Sequence, residues 1–224
     1  KRRAHATHLR NDIRGAMATP NTRHLSRPLA EAARAIATRI AERGGRAWIV
    51  GGAVRDLCLG RRVEDVDMAS ALPPEVLEEL FESTIPVGKA FGTMIVLHGD
   101  ISVEVTTFRA DQGYSDGRRP DQVSYSETPE EDAERRDFTC NALFLDPLTE
   151  ELLDPTGGLA DLEAGMLRTV GDARERFDED SLRLLRLARF HARFDLVVEE
   201  ETLEAARASA PGLARVSPER ILAE

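Results

Sequence analysis

Apolar positions recur at helical spacing from Pro28 onward: Leu29, Ala33, Ile36 and Ile40 share one face, and Gly44-Gly45 ends the run. The unbroken run Ala47-Trp48-Ile49-Val50 predicts a short buried strand that feeds into Gly51-Gly52, where a helix begins that Leu59-Gly60 closes. Asp65 and Asp67 alternate with Val66 and Met68, the period of a second strand, and Pro73-Pro74 open a helix that runs to Phe81. Residues 93–97 and 101–108 predict a hairpin around the His98-Gly99-Asp100 turn. Residues 109–126 are polar and read as a loop; 142–146 returns to strand character. Beyond residue 150 the period becomes helical over 161–167, 178–193 and 199–208, and Pro218 starts a helix that the chain end interrupts. The expected fold class is α/β (α+β): a head with a small mixed sheet over 28–150, then an α-helical neck over 151–224, without internal repeats.

Composition changes this picture little. A hydrophobic share of 42% supports a real core and excludes wholesale disorder. No apolar run approaches the roughly 20 residues of a membrane helix, and no signal-peptide stretch opens the chain. Cys58 and Cys140 stand at no metal-ligand spacing and read as small buried residues, so a cytoplasmic protein without a membrane partner is expected. His5, His8, His24, His98 and His191 share no ligand spacing either, and Trp48 reads as a core anchor.

Charge says more. The net charge of −10 argues against a chain coated with nucleic acid, yet residues 1–27 carry seven basic side chains against Asp12 alone. That segment reads as a basic, poorly ordered tail. All but two (Lys1 and Lys89) of the 30 basic residues are arginines. Guanidinium forks suit phosphates and base edges, although a coding bias toward arginine and alanine gives the same count.

The candidate chemistry sits in the head. Asp65 and Asp67, at i and i+2 of a strand, point to one face, and paired hard carboxylates suit Mg²⁺; a solvated strand end is the alternative. Gly51 and Gly52 permit close backbone approach to a triphosphate, whose oxygens the exposed amides and Arg55 would bind; a tight turn with a surface arginine is the alternative. Glu104 shares a strand face with Ser102 and Thr106 and could supply a third carboxylate, or simply belong to a wet face.

Five ordered segments then carry a resemblance: GGAVRDLCLG (51–60), VEDVDMAS (63–70), VEVTTFR (103–109), RRDFTCNAL (135–143) and RFDEDSLRLLRLARFHARF (176–194). Together they resemble the tRNA nucleotidyltransferase and bacterial poly(A) polymerase family, class II of the superfamily that includes DNA polymerase beta. The likeness covers about 47–194, with a weaker echo at Glu219-Arg220-Ile221. It implies addition of C and A from CTP and ATP to a tRNA 3′ end, with two Mg²⁺ on Asp65 and Asp67, Glu104 helping to activate the hydroxyl, and pyrophosphate leaving.

The resemblance also implies that Glu179-Asp180-Ser181-Leu182-Arg183 chooses the base without a template. On a helix, Asp180 and Arg183 at i and i+3 would share a face. Aspartate accepts and arginine donates, which matches the amine and bare ring nitrogen of C and A and mismatches U and G. By the same resemblance Arg136, Arg186 and Arg189 would bind nucleotide phosphates and Asp137 would lie near the ribose, while Asn141 would fix local backbone. Leu184, Leu185, Leu187 and Phe190 would form the buried side of that helix, and Arg193 a solvated position. Residues 113–121 resemble the family's flexible loop, which helps switch from C to A addition.

Within the family, an enzyme adding only the terminal A and a poly(A) polymerase stay open, though Val87-Gly-Lys-Ala-Phe-Gly-Thr-Met-Ile-Val96 is closer to the tRNA enzymes. Outside it stand a catalytically inert RNA- or nucleotide-binding module and an ordinary regulatory domain. Family members continue into body and tail domains, so a chain stopping at Glu224 is expected to be a fragment or short form with weak, salt-dependent RNA affinity. The sequence does not set an oligomeric state.

Overall fold

A computed structural model describes residues 19–89, 92–112 and 122–224. Helix α1 (Arg27–Glu42) buries Leu29, Ala32, Ala33, Ile36, Ala37 and Ile40, the face its spacing predicts. Strand β1 (Ala47–Val50) leads into α2 (Gly52–Cys58), β2 (Asp67–Ser70) and α3 (Pro74–Leu80). Strands β3 (Thr84–Gly88), β4 (Thr93–His98) and β5 (Ile101–Thr107) follow. A ribbon of β6 (Arg109–Gln112) and β7 (Gln122–Tyr125) precedes α4 (Pro129–Glu134), a 3-10 turn at Thr139–Asn141, β8 (Phe144–Leu145) and β9 (Leu152–Leu153). The helical part contains α5 (Gly158–Ala164), β10 (Met166–Leu167), α6 (Ala173–Glu179), α7 (Leu182–Phe194), β11 (Val197–Val198), α8 (Glu200–Ser209) and α9 (Pro218–Ala223).

Seven strands form one mixed sheet in the order β3-β4-β5-β2-β1-β8-β9, antiparallel throughout except for the parallel pair β2 and β5. One face, bearing Ile49, Met68, Met94, Val96, Val103 and Val105, packs on α1. Cutting a buried side chain of this helix–sheet interface to alanine, Ile36→Ala on α1 for example, costs about 2–5 kcal/mol. On the opposite face Trp48, Val50, Ala69, Phe108 and Phe144 make a smaller cluster in which Phe144 meets Trp48 and Phe108 edge-on. That cluster covers only part of its face. Asp67, Glu104 and Thr106 lie on the remainder, because side chains alternate sides along a strand.

Several expectations change. The basic segment over 1–27 is not uniformly a tail: Thr22–His24 forms a 3-10 turn, Leu25 is in the core, and the Thr22 amide and hydroxyl donate to Glu150 at 2.8 and 2.5 Å. Residues 1–18 lie outside the described residues. The second strand begins at Asp67, so Asp65 and Val66 lead into it. Residues 109–126 are not all loop, since β6 and β7 pair from Arg109↔Tyr125 to Gln112↔Gln122; 113–121 lie outside the described residues. The strand expected over 142–146 shortens to Phe144–Leu145, and the helix expected over 161–167 spans Gly158–Ala164 and gives way to β10. The helix expected over 178–193 is two: α6 ends at Glu179, Asp180 is extended (φ −146°, ψ 103°), and α7 begins at Leu182. Strand β9 joins the sheet from beyond residue 150. No helix among the described residues is long and apolar enough to cross a membrane.

Candidate functional site

The turn from β1 into α2 is built on Gly51, whose φ of 68° and ψ of −129° suit glycine, and an added Cβ there would stand 3.3 Å from Arg136 Nη1. The Gly51 amide donates to the Leu143 carbonyl at 3.2 Å, tying the turn to the segment beside β8. Arg55, one turn into α2, is not a surface arginine. It is 5% exposed, donates to Asn141 Oδ1 at 2.6 Å and Asp56 Oδ1 at 2.9 Å, and stacks over Phe194 at 4.2 Å. It thereby joins α2 to α7 through a buried cation–π contact.

Sheet register brings two carboxylates side by side. Val50 stands opposite Asp67 on β2, and Asp67 opposite Glu104 on β5. Asp65 comes two residues earlier on the lead-in, on the exposed side of buried Val66. The Asp67 carboxyl is pushed up to about 6 by burial, then by the charges of Glu104 and Asp65, with Arg136 pulling the other way. Its carboxylate still meets solvent at the cleft floor, so protein mass around it, not full enclosure, supplies the desolvation. These are hard oxygen donors with an excess of negative charge, a set that fits Mg²⁺ bound by one or two carboxylates plus substrate oxygens. Among the described residues no group of three or more His, Cys, Asp or Glu closes around one metal position by itself.

The opposite wall starts from Asp132, which is fully buried and holds two guanidinium groups. Arg135 Nε donates to its Oδ1 at 2.7 Å, and Arg136 Nη2 donates to its Oδ2 at 2.8 Å. Burial alone would raise the Asp132 pKa; Arg136 and then Arg135 outweigh it and hold the carboxyl below its usual range. Arg136 also donates to the Asn141 carbonyl at 3.1 Å and lies under the glycine turn. Burial lowers its own pKa, with Asp132 opposing. Asp137 accepts from the Phe138 amide, Asn141 Nδ2 and Arg186 Nε at 2.8, 3.0 and 2.7 Å. Its pKa is lowered although burial would raise it, because Arg186 and these donors stabilise the anion.

Asn141 therefore does more than fix local backbone: its side chain bridges Arg55 and Asp137 while its carbonyl holds Arg136. Burial pushes the thiols of Cys58 and Cys140 up to about 12, which leaves them inert packing residues.

Asp180 and Arg183 do not share a helix face. Asp180 sits in the break between α6 and α7, and Arg183 in the first turn of α7. Arg183 is held by Glu179 at 2.5 Å and by the carbonyls of Arg176 and Arg135 at 3.0 and 3.1 Å. Asp180 instead accepts from the Leu182 amide and from both Nη groups of Arg220. Farther along α7, Arg186 and Arg189 stack on Phe190, and Arg189 Nε donates to Glu224 Oε1 at 2.5 Å. Leu184, Leu187 and Phe190 are buried as expected, Leu185 only half so, and Arg193 is exposed over Phe194.

One cleft of about 620 Å³ gathers Gly51, Gly52, Arg55, Asp67, Glu104, Arg136, Asp137, Asp180, Arg183, Arg186 and Arg189. Asp65 lies outside it, in an adjoining cavity of about 460 Å³ that shares Gly52, Arg55 and Asp67. Sequence reasoning missed the roles of Asp132 and Arg220, which emerge only from long-range pairing, and underrated Asn141. The echo at Glu219-Arg220-Ile221 was the one signal that pointed toward Arg220.

Fold and site together define an α/β head whose mixed sheet presents carboxylates to an arginine-lined helical wall. The chain belongs to the poly(A) polymerase head-domain family: the family described as "Poly A polymerase head domain" matches residues 47–168. It is 47% identical over 189 residues to the CCA-adding enzyme of Streptococcus pyogenes serotype M2 (strain MGAS10270), covering 84% of this chain and 47% of that protein. The crystal structure of the Bacillus stearothermophilus CCA-adding enzyme in complex with CTP superposes with a TM-score of 0.79 at 39% identity, over 88% of this chain and 47% of the other. A tRNA nucleotidyltransferase complexed with a primer tRNA and an incoming ATP analog superposes at 0.63 and 30% identity, over 79% and 50%. The chain spans about half the length of the curated relatives it matches.

Proposed function

We propose that this chain is the catalytic and base-selecting half of a cytoplasmic tRNA nucleotidyltransferase that adds C and A from CTP and ATP to the tRNA 3′ end. The observation that carries this reading is the single cleft that Asp67 and Glu104 on the sheet line together with Asp180 in the break before α7 and Arg183 in its first turn. The names of the similar enzymes and their CTP and ATP-analog complexes support the same substrates.

In this reading the glycine turn admits the triphosphate, and Arg186 and Arg189 neutralise its oxygens. Arg136, committed to Asp132, acts by its charge from beneath the turn. Asp137 orients Arg186 and borders the ribose. Asp180 accepts from the exocyclic amine and Arg183 donates to the ring nitrogen, a pairing that C and A satisfy and U and G do not. The primer 3′-hydroxyl attacks the α-phosphate in line, Glu104 draws off its proton, and pyrophosphate leaves. Asp65 and Asp67 would hold Mg²⁺, which supplies charge neutralisation at the attacking and leaving oxygens.

The test is incorporation of each labelled nucleotide into tRNA ending before CCA, after CC, and complete. C, C and A on the first substrate is the expected result. Addition only after CC would make the protein an A-adding specialist, and long A tails a poly(A) polymerase. Asp65→Ala and Asp67→Ala should each abolish incorporation while CTP binding stays within about threefold, since the aspartates act on the reacting oxygens and not on the base. Turnover by Asp67→Ala equal to the parent's would overturn the assignment. With a net charge of −10, tRNA binding is expected to be weak and to fall steeply with salt.

A further inference from the structure

Arg220 reaches into the cleft from α9, 40 residues beyond Asp180, and the mechanism above gives it nothing to do. Its Nη1 donates to Asp180 Oδ1 at 3.1 Å and its Nη2 to Asp180 Oδ2 at 2.8 Å, a bidentate fork. We propose that Arg220 determines nucleotide specificity by holding the Asp180 carboxylate in one orientation, so that its remaining acceptor site faces the base. The inference rests on the selection role given above to Asp180 and deepens it.

Three observations carry it. First, Asp180 lies in an extended residue between two helices, so no helical rotamer preference aims its side chain. Beyond Arg220 the carboxylate accepts only from the Leu182 amide, at 3.0 Å to Oδ1, among the described residues. Oδ2 is thus the oxygen with acceptor capacity to spare. Second, Arg183 is held by a separate scaffold, Glu179 with the Arg176 and Arg135 carbonyls. The two halves of the base reader are therefore positioned independently, and loosening one leaves the other in place.

Third, the pair is shielded, with Arg220 and Asp180 side chains 20% and 18% exposed, so it is not an ion pair dissolved in solvent. The residue that follows this short helix supplies a second clamp: Glu224 accepts from Arg189 at 2.5 Å and lies 3.7 Å from Arg186. Arg220 and Glu224 thus answer, with opposite charges, the acid and the bases that line the cleft. Without the fork, Asp180 can turn about its side-chain torsions and the geometric mismatch that rejects U and G is blunted. That follows because specificity from buried polar groups depends on their being unable to adjust.

The experiment measures single-nucleotide incorporation of CTP and of UTP into tRNA lacking CCA, for the parent protein, Arg220→Ala and Arg220→Lys. The expected result is a drop of at least about tenfold in the C-over-U ratio of kcat/KM for Arg220→Ala, the size of one charge-assisted hydrogen bond. Arg220→Lys should restore the ratio only in part, because an ammonium cannot reproduce the fork. A merely structural role would lower CTP and UTP incorporation together and leave the ratio unchanged, and that outcome overturns the proposal. If Arg220→Ala fails to fold, Arg220→Lys decides alone: a ratio equal to the parent's contradicts the inference, a reduced one supports it. A parent protein with no preference for C over U would instead overturn the function proposed above, and this inference with it.

Discussion

At the scale of single residues, the cleft wall depends on Asp132, which no position in a motif announces. Its buried carboxylate is the counter-charge of Arg135 and Arg136. Asp132→Ala leaves the Arg136 charge buried beside a hole and is expected to cost about 3–5 kcal/mol. Thermal melts should show that as a fall of roughly 10 °C for a chain of this length. The pH dependence has a definite sign. Asp132 and Asp137 both have depressed folded-state pKa values, so their contribution is complete above the unfolded value of about 4 and is lost as pH falls below it. Acid melts of Asp132→Asn should therefore decline less steeply below about pH 4 than those of the parent, and an identical decline would remove Asp132 from the account.

The sequence displays Asp65, Asp67 and the glycine pair because their signals are local: alternation for the first two, a strand ending in glycine for the others. Arg55 is visible as a residue but not as a buried one, since its partner Asn141 lies 86 positions away.

At the scale of elements, α5 fixes the site from outside it. Gly158 at its start packs so close to the 3-10 turn that a Cβ would stand 2.1 Å from the Thr139 carbonyl oxygen, a backbone atom with nowhere to go. Gly158→Ala is expected to destabilise by about 3 kcal/mol or more, or to displace the turn that carries Asn141. A melt unchanged from the parent's, with CTP affinity intact, would show that the contact relaxes freely.

Helix α9 presents a different expectation. If Arg189 and Arg186 serve the triphosphate, Glu224 competes for them, and Glu224→Gln should tighten CTP binding by about two- to fivefold, the modest worth of a partly exposed pair. Weaker binding in calorimetry would give Glu224 a supporting role instead.

Long amphipathic elements such as α1 and the hairpin of β4 and β5 are legible because their burial pattern repeats. Edge strand β3 escapes because Ile85 and Val87 are exposed, so no alternation marks it. The two-residue strands β10 and β11 are too short to carry a period. The break at Asp180 is hidden because the flanking leucines and arginines continue a helical rhythm across it. The expectation that Asp180 and Arg183 share one helix face fails for that reason.

At the scale of the molecule, the sheet keeps its two faces for different work: one is packed on α1, and the other, half-covered by the Trp48 and Phe144 cluster, leaves its carboxylates open toward α7. The chain carries a net charge of −10, and although eight arginines line the cleft against four carboxylates, Asp56, Asp132, Glu179 and Glu224 pair with five of those arginines, so an anionic ligand competes for guanidinium groups that already have partners. The central claim is that this cleft alone distinguishes C and A from U and G. Calorimetric titration of the protein with CTP, ATP, UTP and GTP in Mg²⁺ tests it without tRNA. The account predicts that CTP and ATP bind at least about tenfold tighter than UTP and GTP, as unpaired polar groups on the wrong base require. Equal affinities for all four nucleotides would contradict it.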